Sequence, residues 1–268
     1  MSDLRAAVQA ALGGGYRVER EVRPVGACRL FVAEELGAGA ELLVKVLPAE
    51  LSLAVDAELF AREVAGRAGR LRHPGLVPTL DAGRAGAWVY HMRPFVEGTT
   101  LRAALVRHGE LPLRQVVDVL RDVLGALARA HAVGVAHGDL KPEQVILAGG
   151  RALVADTGIV DAVARALPGG AASPVLTLCA APYLAPERRE RTGPPAPLDD
   201  VFAVGVLAHE MLTGRPPGPD AESLEEARAV PGWLVEAVRR CLAPASGGRW
   251  ADAAAALAAL DHPRAGPS

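Results

Sequence analysis

The chain has 268 residues, half of them hydrophobic, with 29 Lys and Arg against 31 Asp and Glu. That is enough for one large core or two packed lobes and too little for a multidomain array. A formal charge of -2 gives no general attraction to nucleic acid or an anionic membrane, so both are excluded as default partners. In chain order, residues 3 to 12 alternate at helical spacing and stop at Gly13-Gly14-Gly15, which predicts a short helix in an extension over 1–15. Short β-type runs at Tyr16 to Val22, Cys28 to Ala33 and Glu41 to Leu47, split by Pro24, Gly26, Gly37 and Gly39, predict an antiparallel meander. Asp56 to Leu71 has helical spacing and ends at His73-Pro74-Gly75. Two further strands are predicted at Leu76 to Asp81 and Ala87 to Phe95. After Glu97-Gly98 the pattern turns helical, at Leu101 to Arg107 and Leu113 to Val133. A polar loop over His137 to Gln144 follows, then a hairpin signal with Val145 to Leu147 and Ala152 to Val154 flanking Gly149-Gly150. Residues 157 to 198 are rich in Gly and Pro and read as irregular, a length of loop that is more often functional than not. Val201 to Leu212, Gly232 to Leu242 and Trp250 to Leu260 close the chain as helices.

Cys28, Cys179 and Cys241 form no C-x-x-C pair and have no His at metal-site spacing, so neither a disulfide framework nor a zinc site is expected. A reducing cytoplasm is the expected location. The first residues carry Asp3 and Arg5 and do not read as a secretory signal. The longest uncharged stretch, Leu167 to Pro186, is broken by prolines and Gly169-Gly170, which excludes a membrane span there. Almost all positive charge is arginine, and the lysines are Lys45 and Lys141 alone. A lysine in such a chain marks a place where a compact, mobile charge is wanted.

Ordered motifs then run through the chain: LLVKVL with Lys45, LFAREV with Glu63, HGDLKPEQ at 137 to 144, LVADTG with Asp156, APE at 185 to 187, DVFAVG from Asp200, and Arg249 near the end. Together they resemble the protein kinase family, specifically the bacterial Ser/Thr kinases of eukaryotic type, over about Tyr16 to Leu260. The resemblance implies an α+β, two-lobed fold, with a small antiparallel β-sheet lobe carrying one main helix over 16–96, a mainly helical lobe over 97–262 and a tail over 263–268. It implies ATP with Mg²⁺ or Mn²⁺ as cofactors and a protein substrate or regulatory protein as partner. In that frame Lys45 reaches the α/β-phosphates and is held by Glu63, Asp139 accepts the substrate hydroxyl proton, and Lys141 meets the γ-phosphate. Asp156 and Gln144 hold metal, while Val25, Arg93, Phe95 and Val96 line the nucleotide cleft. Phosphoryl transfer asks the protein for positioning and charge neutralisation, which these charged groups can supply. Glu187 with Arg249, and Asp200 under the catalytic loop, are expected to be scaffold.

The departures from the family concentrate where ATP would sit. Arg23, Val25 and Cys28 stand at the three glycine positions of the phosphate loop, where backbone N–H groups must approach phosphate without a Cβ in the way. Arg93 falls at the back of the adenine pocket, where it must fill the space or find a buried acid; a one-residue slip would instead turn Met92 inward. Gly138 replaces the arginine that reads a phosphorylated loop, Gln144 replaces an asparagine, Thr157 replaces the Phe of Asp-Phe-Gly, and Ala180 replaces a threonine. The segment between Gly214 and Trp233 is short for the family's substrate-side helix, and Thr157, Ser173 and Thr177 are open to phosphorylation or are plain polar linkers. The expectation is a pseudokinase or strongly impaired Ser/Thr kinase. Two alternatives stay open: an active atypical protein kinase, and a small-molecule kinase of the aminoglycoside-phosphotransferase type, which shares His137-Gly138-Asp139.

Overall fold

The structure is a computed structural model that describes residues 2–168, 181–189, 191, 193–218, 224 and 230–261. The smaller lobe is built on a five-stranded antiparallel sheet in the order β1-β2-β3-β5-β4, with β1 Tyr16–Val25, β2 Cys28–Glu35, β3 Ala40–Val46, β4 Asp81–Ala85 and β5 Trp88–Pro94. Alternation along each strand sends successive side chains to opposite faces. On the outer face Phe31, Val44, Tyr90 and Met92 pack with Leu4 and Val8 of helix α1 (Ser2–Leu12). The inner face carries Leu30, Val32 and Leu43 with Val25 and Phe95. Val25 pairs with Cys28 across a two-residue turn in which Gly26 has φ 57°. The register Lys45↔His91 and Leu43↔Arg93 turns Lys45, His91 and Arg93 to the inner face as well. Met92 lies on the other face beside α1, so the slipped reading is excluded.

Helix α2 (Ala49–Ala54) was not expected from the sequence. Helix α3 (Ala57–Ala68) was, and it starts where Asp56 accepts the Leu59 N–H at 2.9 Å. The strand predicted at Leu76 to Asp81 is corrected: only Leu76 makes a bridge, to Val154, and regular pairing begins at Asp81. His73-Pro74-Gly75 and Pro78 explain this, since proline removes ladder donors.

The larger lobe packs α4 (Leu101–His108), α5 (Leu113–Ala132), α7 (Pro197–Thr213), α8 (Gly232–Cys241) and α9 (Ala253–Asp261) around one apolar core. Helix α7 is buried over nearly its whole length, from Asp199 to Leu212, apart from Phe202. A small sheet of β6 (Thr99–Thr100), β7 (Val145–Ala148) and β8 (Arg151–Val154) sits between the lobes. Its hairpin turns at Gly149-Gly150, both with positive φ. This is the α+β, two-lobed architecture that the motifs imply. Among the described residues no helix is long and apolar enough to cross a membrane.

One reading is overturned in part. The stretch after Asp156 is not all irregular, because Ile159–Ala166 forms helix α6, every residue of which is buried except Arg165. Its apolar residues Ile159, Val160, Val163 and Ala164, with Leu167 just past its end, recur at helical spacing, a signal outweighed by the Gly and Pro content of the longer window. Ser173, Thr177, Cys179, Ala180 and half of the Gly214 to Trp233 segment lie outside the described residues.

Candidate active site

The loop between α5 and β7 is braced from below by Asp200, in the first turn of α7. Its carboxylate accepts the His137 N–H at 2.7 Å, the Gly138 N–H at 2.8 Å and His131 Nε2–H at 2.8 Å. His131 Nδ1 in turn accepts the Ala253 N–H at 3.2 Å, which assigns the neutral Nε2–H tautomer and ties the loop to α9. His137 donates from Nε2 to the Ala155 carbonyl at 2.9 Å, holding the loop against the segment that carries Asp156. Arg102, from α4, adds a brace that sequence reasoning missed: it donates to Glu143 at 2.7 Å, to Glu210 at 2.6 Å and to the Tyr183 hydroxyl at 2.9 Å. The expected ion pair at the far end is present, with Arg249 donating to both oxygens of Glu187 at 2.6 and 2.9 Å.

On that frame Asp139 and Lys141 meet, Lys141 Nζ donating to Asp139 Oδ2 at 2.6 Å. Burial pushes the Asp139 carboxyl above its usual range, against the pull of Lys141 and Lys45. Lys45 crosses from β3 and donates to Asp156 Oδ2 at 2.7 Å. Asp156 is the one described residue other than glycine with positive φ, 61°, a conformation that short polar side chains tolerate. Its burial alone would raise its pKa, yet Lys45, His91 and Arg93 outweigh this and hold it well below the usual carboxylate range. Gln144 is buried on the single helical turn Pro142–Gln144 between the two acids. Phe95 and Val96 lie at the edge of the cleft, packed against separate apolar clusters.

Glu63 departs from expectation. It does not hold Lys45; it pairs with Arg67 at 2.7 Å, one turn along α3, and lies 3.8 Å from Arg165 of α6. The physical reason is α6, which brings Asp161 and Arg165 against α3. Arg67 donates to Asp161 through Nε at 3.0 Å and also through Nη2. Lys45, left without Glu63, takes Asp156 instead.

Arg93 points into the cleft with its side chain 12% exposed and its Nε 3.4 Å from Asp156 Oδ1, so it has found the buried acid that its position demands. His91 beside it is 1% exposed, and neither ring nitrogen has a hydrogen-bond partner. Burial, with Lys45 and Arg93 nearby, brings its pKa down to about 4 despite Asp156. The inner-face alternation of β5 is the signal that would have flagged His91.

The nucleotide and metal implied by the motifs do not fit this arrangement. Asp156 Oδ2 accepts from Lys45 and Oδ1 lies 3.4 Å from Arg93 Nε, so two cations of the chain stand where a metal ion would approach this carboxylate. Under the β1–β2 hairpin, where a phosphate cradle would lie, the buried Cys28 shares an apolar cluster with Val160, Val163 and Ala164 of α6. Val160 reaches the loop over 137–144 as well: a Cβ on Gly138 would lie 3.1 Å from its Cγ1 and 2.7 Å from Pro195.

The protein kinase domain family matches residues 29–239 of the chain. Serine/threonine-protein kinase PknL of Mycobacterium bovis is 36% identical over 211 residues, covering 78% of this chain and 51% of that protein. Serine/threonine-protein kinase PknA of Mycobacterium tuberculosis is 32% identical over 221 residues, with 78% and 49% covered. The chain thus spans about half the length of these relatives. Among solved structures, the Mycobacterium tuberculosis PknI kinase domain superposes with a TM-score of 0.72 at 23% identity, covering 93% of this chain and 95% of that one, a likeness of fold.

Proposed function

Because this chain belongs to the protein kinase family, as a Ser/Thr protein kinase-like domain, we propose that it acts as a pseudokinase or strongly impaired kinase whose role is to bind a regulatory protein partner. The family generally uses ATP with Mg²⁺ or Mn²⁺; here the carrying observation is Arg93, laid across the back of the cleft at ion-pair distance from Asp156. A guanidinium in that place takes the room and the carboxylate that a metal-bound nucleotide would need. The absence of glycine at positions 23, 25 and 28 supports the same reading. So does Lys45, which spends its charge on Asp156.

The test is a thermal-shift titration with ATP, with and without Mg²⁺ or Mn²⁺. A ligand at about 100 times its Kd adds roughly 2.7 kcal/mol, which moves the midpoint of a domain this size by several degrees. The expected result is no shift at millimolar ATP. A metal-dependent shift, or phosphate transfer to protein that vanishes in Asp139→Asn, would overturn the reading.

A further inference from the structure

Apart from the cleft, a groove of about 470 Å³ opens between α5 and the β7–β8 hairpin, within the range of about 300–1,000 Å³ usual for ligand sites. Its floor is apolar, with Val119 buried and Leu147 and Ala148 half-buried. One wall is the turn Gly149-Gly150, where a Cβ on either glycine would meet nothing within 4 Å. The other wall carries two acids of α5 that differ in what they hold. Asp122 is committed to the hairpin, accepting from Arg151 Nε at 2.8 Å and from the Ala152 N–H at 2.8 Å. Asp118, one turn earlier, is exposed and makes no ion pair among the described residues, not even with Arg114 a further turn back.

We propose that this groove is a docking site whose occupant is the segment of this chain after Asp261, residues 262–268, with Arg264 set on Asp118. Direction, reach and chemistry carry it. Helix α9 lies antiparallel on α5: its first residue, Ala253, donates its N–H to His131 Nδ1 at 3.2 Å, and its last, Asp261, accepts from Arg121 Nε at 3.0 Å. The chain leaving α9 is therefore aimed at the N-terminal half of α5, where Pro112, Gln115 and Asp118 line the groove. At about 100° per residue, Arg121 and Asp118 stand about 60° apart around α5, so the face that holds α9 adjoins the face that lines the groove. From Arg121 to Arg114 is roughly 10 Å along the helix, against roughly 23 Å for seven extended residues. The segment reads His-Pro-Arg-Ala-Gly-Pro-Ser. Pro263 stops α9 and favours an extended residue before it. Arg264 brings the segment's one fixed charge to the groove's uncommitted acid, and Pro263, Ala265 and Pro267 offer the floor small apolar groups at little loss of chain entropy. The hairpin has Gln144 just before β7 and Asp156 two residues after β8, so the docked segment braces the hairpin on which those two residues are hung.

The experiment is amide hydrogen exchange on the full chain, read on peptides covering residues 147–152, in the parent, Arg264→Glu, Asp118→Arg and the double variant. Peptides from α3 are the internal control. Each single charge reversal turns an attraction into a repulsion and is expected to speed exchange at 147–152 by about fivefold. The double variant restores the attraction with signs exchanged and returns most of the protection, while α3 exchanges alike in all four proteins. Unchanged exchange at 147–152 in Arg264→Glu, or a double variant no better protected than the singles, overturns the proposal. Protection that is lost when the parent is diluted about a hundredfold assigns the groove to a second copy of the chain and overturns it too. A metal-dependent ATP shift bears on the pseudokinase reading alone and leaves the exchange result standing.

Discussion

Asp156 is the residue on which the cleft turns. It is buried, carries φ 61° and is shared between Lys45 and Arg93. A carboxylate in that place is stabilised by cations that reach it, and two cations of this chain already do. His91 makes the cost visible. Its folded pKa is lowered to about 4 from 6.5, so between those values the unfolded chain binds more protons than the folded one, and stability falls as pH drops through that window. A difference of this size corresponds to roughly 3 kcal/mol. His91→Phe removes the titrating ring and fills a similar space, and the expected outcome is a smaller loss of stability than in the parent between pH 7 and pH 4.5, read from urea unfolding at each pH. A parallel loss in both proteins would place the acid sensitivity elsewhere.

Among the elements, the loop over 137–144 and α6 fit each other closely. Gly138 has φ 76°, and a Cβ there would meet Pro195 at 2.7 Å and Val160 of α6 at 3.1 Å. Reinstating the arginine that the family carries at this position is therefore expected to damage the fold. A left-handed conformation costs about 1–2 kcal/mol for a residue with a Cβ, and overpacking adds about 1–3 kcal/mol. Gly138→Arg should lower the urea midpoint accordingly at unchanged m; a variant as stable as the parent would show that Pro195 and α6 yield easily. The same contact explains why a loop motif legible in sequence belongs to an unexpected packing. The residues of HGDLKPEQ were readable in order, whereas the helix that presses on Gly138 lay in a stretch whose Gly and Pro content hid its period.

For the whole molecule, two elements bear on the cleft from different directions, Arg93 from the sheet and α6 from the segment after Asp156. Elements that act on one site are not independent, so their removal should not be additive. Neither Arg93→Met nor Asp161→Asn alone is expected to create a Mg²⁺-dependent thermal shift with ATP, while the double variant is. A shift in Arg93→Met alone would mean that α6 is no barrier to nucleotide.

Taken alone, the amino-acid sequence determined the order of the main elements and the identity of the charged residues at the cleft, while the two-lobed architecture came from the resemblance of its motifs to a known family. It could do so because strand and helix periods are local, and because Lys45, Asp139, Lys141 and Asp156 stand in motifs whose spacing is read along the chain. The inward turn of Arg93 was framed by sequence and decided by the strand register Leu43↔Arg93. Which partners the charges take was decided only by tertiary structure. Glu63 faces Arg67 and Arg165, Lys45 faces Asp156, and Arg67 faces Asp161, because an ion pair in a buried cleft goes to the group that packing brings within reach. That packing follows from where α6 settles, at a distance along the chain that no local pattern encodes.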